Sequence, residues 1–126
     1  MENVDFAARV RWVEEGAIAV VEMEGEIDLA TLPEFKAVLI DASEADRAII
    51  IDLSKVTYMD SSGFSTLLES NRLLRPLGIE MFLVGCNANI GRMLEITRLN
   101  TIFRILPMVE DAQKEVGEAP TAVVAA

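Results

Sequence analysis

The 126-residue sequence contains no histidine, one cysteine, seven aromatic residues and only 11 basic side chains against 21 acidic ones. Each shortage removes a class of chemistry. Without histidine there is no imidazole to serve as a neutral-pH general base, to activate a serine or cysteine, or to fill its usual place in a zinc site. A catalytic residue, a metal and a cofactor are therefore not expected. Cys86 has no partner for an intrachain disulfide, which points to a reducing, cytoplasmic setting. A net charge of −10 opposes binding to nucleic acid or to an anionic membrane surface, both of which demand clustered Lys and Arg. No apolar run approaches the length of a membrane span. Met1-Glu-Asn-Val-Asp5 carries acidic residues and no apolar stretch, so no signal peptide is expected.

What is present reads as a single domain, long enough to bury a core of Leu, Ile, Val, Ala and Met. Alternation predicts a strand over Ala7–Val13, a turn at Glu14-Glu-Gly16, and a second strand over Ala17–Met23 pairing back as a hairpin. Gly25–Asp28 reads as a loop. Thr31 and Glu34 have capping-box spacing, with Pro33 in the first turn, and predict a helix to about Ala45. Arg47–Leu53, with its Ala48-Ile-Ile-Ile51 run, predicts a strand covered on both faces. Phe64, Leu67, Leu68 and Leu74 trace a helix that should stop near Pro76 and Gly78. Ile79–Val84 is a further strand. Asn89 is a candidate cap for a short helix carrying Ile90, Met93, Leu94 and Thr97, and Asn100 a candidate left-handed helix end. Ile102–Leu106 reads as an edge strand and Pro107–Val116 as a last helix, with Val109, Ala112 and Val116 inward. A flexible tail is expected over 117–126. The alternation of elements predicts an α/β fold: a mixed sheet of four to five strands, parallel in its later part, packed with about four helices.

One segment stands apart. Tyr58-Met-Asp-Ser-Ser-Gly63 follows a buried strand and opens an amphipathic helix, where unpaired N–H groups and the helix dipole favour an anion. Two readings remain open on local chemistry. Asp and Ser are favoured N-caps and Gly63 would let the helix lie against the sheet; alternatively, a serine phosphate here would meet N–H donors already in place. Catalysis is excluded more firmly. Ser61 and Ser62 have no histidine to activate them, Gly63-Phe-Ser65 lacks the rest of a nucleophile elbow, and no glycine-rich nucleotide loop occurs.

Asp60-Ser-Ser-Gly-Phe64 after a hydrophobic strand resembles the signature of STAS domains, specifically the bacterial anti-sigma factor antagonists. Gly25-Glu-Ile-Asp28 resembles the family's loop after its second strand. Ile50-Ile-Asp-Leu-Ser54 with Val56-Thr-Tyr-Met-Asp60 resembles its central strand and lead-in. Leu99-Asn-Thr-Ile-Phe103 resembles the segment before its last strand, where Gly is commoner than Asn100. The resemblance covers residues 5–116. It implies a protein that acts by binding: unphosphorylated, it captures an anti-sigma factor that is also a serine kinase and frees the sigma factor; the kinase phosphorylates it and a serine phosphatase reverses this. Carried over, the phosphoacceptor is Ser61, with Ser62 the second choice, and Asp28, Asp60, Ser61, Ser62 and Gly63 line the partner-binding face. Asp52, Ser54 and Tyr58 are expected to be structural, and Phe64 to belong to the core. A monomer or weak dimer is expected.

Two rivals differ in kind. A phosphoryl-accepting receiver domain would need a Lys at the end of its last strand, where Ile102–Leu106 offers Arg104. A STAS accessory subunit of a lipid transporter or stress-signalling assembly would share the motif without being phosphorylated.

Overall fold

The computed structural model describes residues 6–118. Its elements run β1 (Ala7–Val13), β2 (Ile18–Ile27), α1 (Leu32–Ala42), β3 (Ala48–Met59), α2 (Ser61–Leu74), β4 (Glu80–Val84), α3 (Ala88–Ile96), β5 (Arg104–Leu106) and α4 (Val109–Glu115), with short 3-10 turns between some of them. The five strands lie in sequence order in one sheet. β1 and β2 form the expected antiparallel hairpin, and every later pairing is parallel. The fold is thus the α/β mixed sheet that the sequence predicts.

The sheet separates two cores. One face of β2, β3 and β4 (Ala19, Val21, Ile49, Ile51, Met81 and Leu83) packs under Phe35, Leu39, Phe64, Leu67, Ile90 and Leu94 of α1, α2 and α3. The other face (Ile18, Val20, Ala48, Ile50, Phe82 and Val84) is covered by Val109 and Ala112 of α4. Residues 48–51 are therefore buried on both sides, which is why the sequence shows a continuous apolar run there and no alternation. Burying each of these Ile side chains contributes about 1.5–3 kcal/mol. Phe64 is in the core, as its spacing predicts.

Several boundaries differ from expectation. β2 continues through the expected loop at Gly25–Asp28 as far as Ile27, which pairs with Met59, and β3 runs on to Met59 beyond the expected end at Leu53. The pairing register shifts between Glu22 and Glu24 and again between Gly25 and Glu26. Gly25, with φ of 100°, sits in this irregularity and absorbs a backbone turn that a side chain would resist. Thr31 does not make a capping box. Its hydroxyl donates to the Glu26 carbonyl at 2.9 Å and accepts from the Asp28 N–H at 3.0 Å, and α1 ends at Ala42. Asn87, not Asn89, caps α3: its side-chain oxygen accepts from Ile90 N–H at 2.9 Å, while its amide nitrogen donates to the Val56 carbonyl at 3.2 Å. The left-handed residue is Arg98, with φ of 64°; Asn100 lies in a 3-10 turn.

At the far end, Arg104 donates to Glu80 at 2.9 Å, to Glu115 at 2.6 Å and to the Glu118 carbonyl at 2.8 Å. It also stands over the Phe82 ring, 4.9 Å from its centre. Glu80 accepts the Gly117 N–H at 2.7 Å as well. The first two residues of the expected tail are thus tied to the sheet, and 119–126 lie outside the described residues. Among the described residues no helix is long and apolar enough to cross a membrane.

Candidate functional site

The candidate residues meet at one end of the sheet, beyond the carboxyl ends of β2 and β3. Ile27 pairs with Met59, and the N–H of Asp60 donates to the Ile27 carbonyl at 3.0 Å. Asp28 and Asp60 therefore leave adjacent parallel strands side by side. In α/β sheets this end is where ligands and partners are generally received.

Asp60 is the N-cap of α2. Its backbone is extended, and its Oδ1 accepts from the Ser62 N–H at 2.9 Å, from the Gly63 N–H at 3.4 Å and from the Ser62 hydroxyl at 2.5 Å. The Ser62 hydroxyl bond, with help from the N–H groups of Gly63, Ser62 and Leu29, holds the carboxyl below its ordinary range against some desolvation. Asp60 is thus charged at neutral pH.

The two serines are not equivalent. Ser61, the first residue of α2, is exposed, and its side chain makes no hydrogen bond to any described residue. Ser62 is half-buried and its hydroxyl is committed to Asp60. The geometry also corrects one expectation. A phosphate on Ser61 would not find the Ser62 and Gly63 N–H groups waiting, because Asp60 already occupies them.

Gly63 is buried, and its lack of a side chain sets the height of α2 over the sheet. A Cβ there would stand 2.5 Å from Met59 Cγ and 2.9 Å from Ile27 Cγ2. Gly63 is thus a packing residue, holding Ser61 at its place at the end of the sheet.

Asp28 is half-buried, and its Oδ1 accepts from Ala30 N–H at 3.0 Å and Thr31 N–H at 3.1 Å. These bonds shape the turn that presents Leu29, 73% exposed, beside Asp60. Asp52 accepts the Ser54 N–H at 3.0 Å, a local structural bond. Tyr58 is half-exposed and pairs across the sheet with Glu26. Leu29 and Asn87 were not singled out from sequence. The two asparagines around the start of α3 do signal a cap, but the bond to Val56 that holds Asn87 spans 31 residues.

Cys86 is partly buried, and burial pushes its thiol up to about 11. Among the described residues no three His, Cys, Asp or Glu side chains are grouped to hold a metal ion.

Known proteins resemble this chain in sequence and in architecture. The sequence profile of the STAS domain matches residues 9–112. The anti-sigma-B factor antagonist of Staphylococcus aureus is 33% identical over 86 residues, 68% of this chain and 80% of the relative. The crystal structure of an anti-sigma factor antagonist from Mycobacterium paratuberculosis superposes with a TM-score of 0.75 at 25% identity, covering 89% of this chain and 94% of the other. The phosphorylated form of the Bacillus cell fate determinant SpoIIAA has the same fold, with a TM-score of 0.67 at 20% identity over 86% of this chain and 98% of the other. With a profile match over most of its length, a curated relative at one-third identity and the same arrangement of strands and helices, this chain belongs to the STAS domain family.

Proposed function

We propose that this protein is an anti-sigma factor antagonist: unphosphorylated, it binds an anti-sigma factor that is also a serine kinase, and phosphorylation of Ser61 releases that partner. A serine phosphatase restores the binding form. Binding to a partner, with no chemistry performed by this chain, is the whole of its action.

The observation that carries the reading is the exposed Ser61 hydroxyl, without a hydrogen-bond partner among the described residues, at the first position of α2. A kinase can reach it without unfolding anything. Its surroundings make a phosphate disruptive. The group adds about −1.5 to −2 charges. It would stand one residue from a carboxylate held ionised, with the Ser62 and Gly63 N–H donors already taken by that carboxylate. A partner surface fitted to a small hydroxyl then meets a bulky dianion beside a second negative charge. The face around it consists of Asp28, Asp60, Ser62 and the exposed Leu29, and Gly63 fixes its height. The names of the Staphylococcus aureus and Mycobacterium paratuberculosis relatives support the same assignment.

The test is binding to the cognate anti-sigma factor by calorimetry. Ser61→Asp should weaken it at least tenfold, which corresponds to about 1.4 kcal/mol. Ser61→Ala should bind like the wild type and resist modification. Equal affinity for Ser61→Asp and wild type would contradict the switch.

A further inference from the structure

A second surface lies in the groove between α1 and α2. The groove encloses about 590 Å³ and is mainly apolar, with Leu39 and Leu74 buried beneath it. Ile40 on α1 and Leu73 on α2 stand on its walls, 69% and 64% exposed. Small side chains, Ser65 and Ser70 among them, leave space between the walls. Large aliphatic groups exposed over short side chains are costly in water and receptive to a partner's side chains.

The charges on the walls indicate which partner. Lys36, one turn before Ile40, makes no ion pair among the described residues; Glu69, one turn before Leu73, has only a long 3.8 Å contact to exposed Arg72. One wall therefore carries a cation and an aliphatic residue, and the other an anion and an aliphatic residue at the same spacing. A two-fold axis brings each wall of such a groove against the opposite wall of another copy. Ile40 then meets Leu73 of the second copy, and Lys36 meets its Glu69, each twice over. Self-complementarity of this kind is what an isologous interface requires.

We propose that the α1–α2 groove is the interface of a weak homodimer. A chain with net charge −10 repels its copy over much of its surface, and this apolar patch sets one cation against one anion across its walls. Leu73 lies twelve residues along α2 from Ser61, about 18 Å at 1.5 Å per residue, whereas Ser65 at the other end of the groove is one turn from Ser61.

Sedimentation velocity from about 10 μM to 1 mM protein, a range that brackets a weak association, tests this. The wild type should show a concentration-dependent monomer–dimer equilibrium, and Leu73→Asp should remain monomeric throughout with an unchanged circular dichroism spectrum. Lys36→Glu and Glu69→Lys should each weaken the dimer by about three- to tenfold, in keeping with exposed ion pairs counted twice, and the double exchange should restore it. Ile40→Asp provides an independent apolar variant should Leu73→Asp fold poorly. A wild type that stays monomeric at 1 mM overturns the proposal. So does a dimer whose affinity is unmoved by the apolar variants, or one that the double charge exchange fails to rescue.

Discussion

The hydroxyl of Ser62 donates to the carboxylate of Asp60, which also accepts the Ser62 N–H, so a single acidic side chain both starts α2 and occupies the second of two adjacent serines. Ser61, one position earlier, is left exposed with its hydroxyl uncommitted among the described residues. The asymmetry between neighbours of identical chemistry comes from helix geometry: an N-cap acceptor reaches the second and third residues of the helix and not the first. The same bond lowers the carboxyl's pKa, which keeps negative charge beside Ser61.

Removing that cap has a measurable cost. Asp60→Ala should lower stability in urea by about 1 kcal/mol, and the amide of Ser62 should exchange faster with solvent. An unchanged urea midpoint would show that the cap contributes nothing to stability.

Acid should reveal the same group. The folded carboxyl of Asp60 titrates below its unfolded value, so its contribution is fully present above the unfolded pKa near 4 and is lost as pH falls through the lowered folded value. Asp60→Asn keeps a capping acceptor but cannot titrate. Its stability should fall less steeply than wild type between about pH 5 and pH 2, measured by urea unfolding at several pH values. Parallel curves would place the titration elsewhere.

Gly63→Ala should destabilise the protein by about 1–3 kcal/mol, because the added methyl enters the space of Met59 and Ile27. Met59 can swing part of the way aside, whereas Ile27 is branched and held at the end of a strand. Gly63→Val should therefore cost more than Gly63→Ala in the same denaturation experiment. Wild-type stability for both would mean that α2 does not sit so close to the sheet.

How much of this could be read beforehand depended on how local the determining interactions are. Asp60 caps the residues that follow it, so the start of α2 was visible in five consecutive residues, whereas the choice of Ser61 over Ser62 came from the family resemblance. The buried run Ala48–Ile51 was equally plain, since burial on two faces leaves a continuous apolar stretch. The failures involve partners distant in sequence. Thr31 looked like a cap, but Glu26 and Asp28 take its hydroxyl. Asn89 looked like the cap of α3, but Asn87, held by the Val56 carbonyl, takes that place. β2 and β3 outran their apolar segments because parallel pairing, eased by the irregularity at Gly25, continues after the helices cease to cover both faces. The Leu29 amide beside Asp60 and the groove between α1 and α2 depend on chain segments brought together by the fold, and no local pattern announces either.

Cys86 should be sluggish. With its thiol pushed up to about 11, roughly one molecule in a thousand is thiolate at pH 8. Ellman's reagent should react much more slowly with the native protein than with protein in 6 M guanidinium. Equal rates would mean that the thiol is neither buried nor suppressed.

The most direct measurement of the proposed switch is site-resolved mass spectrometry after incubation with the cognate anti-sigma factor kinase and ATP. One phosphate on Ser61 is predicted, absent from Ser61→Ala and present in Ser62→Ala. Phosphate placed on Ser62 in the wild type, or none at all under conditions where the kinase is active, would contradict it.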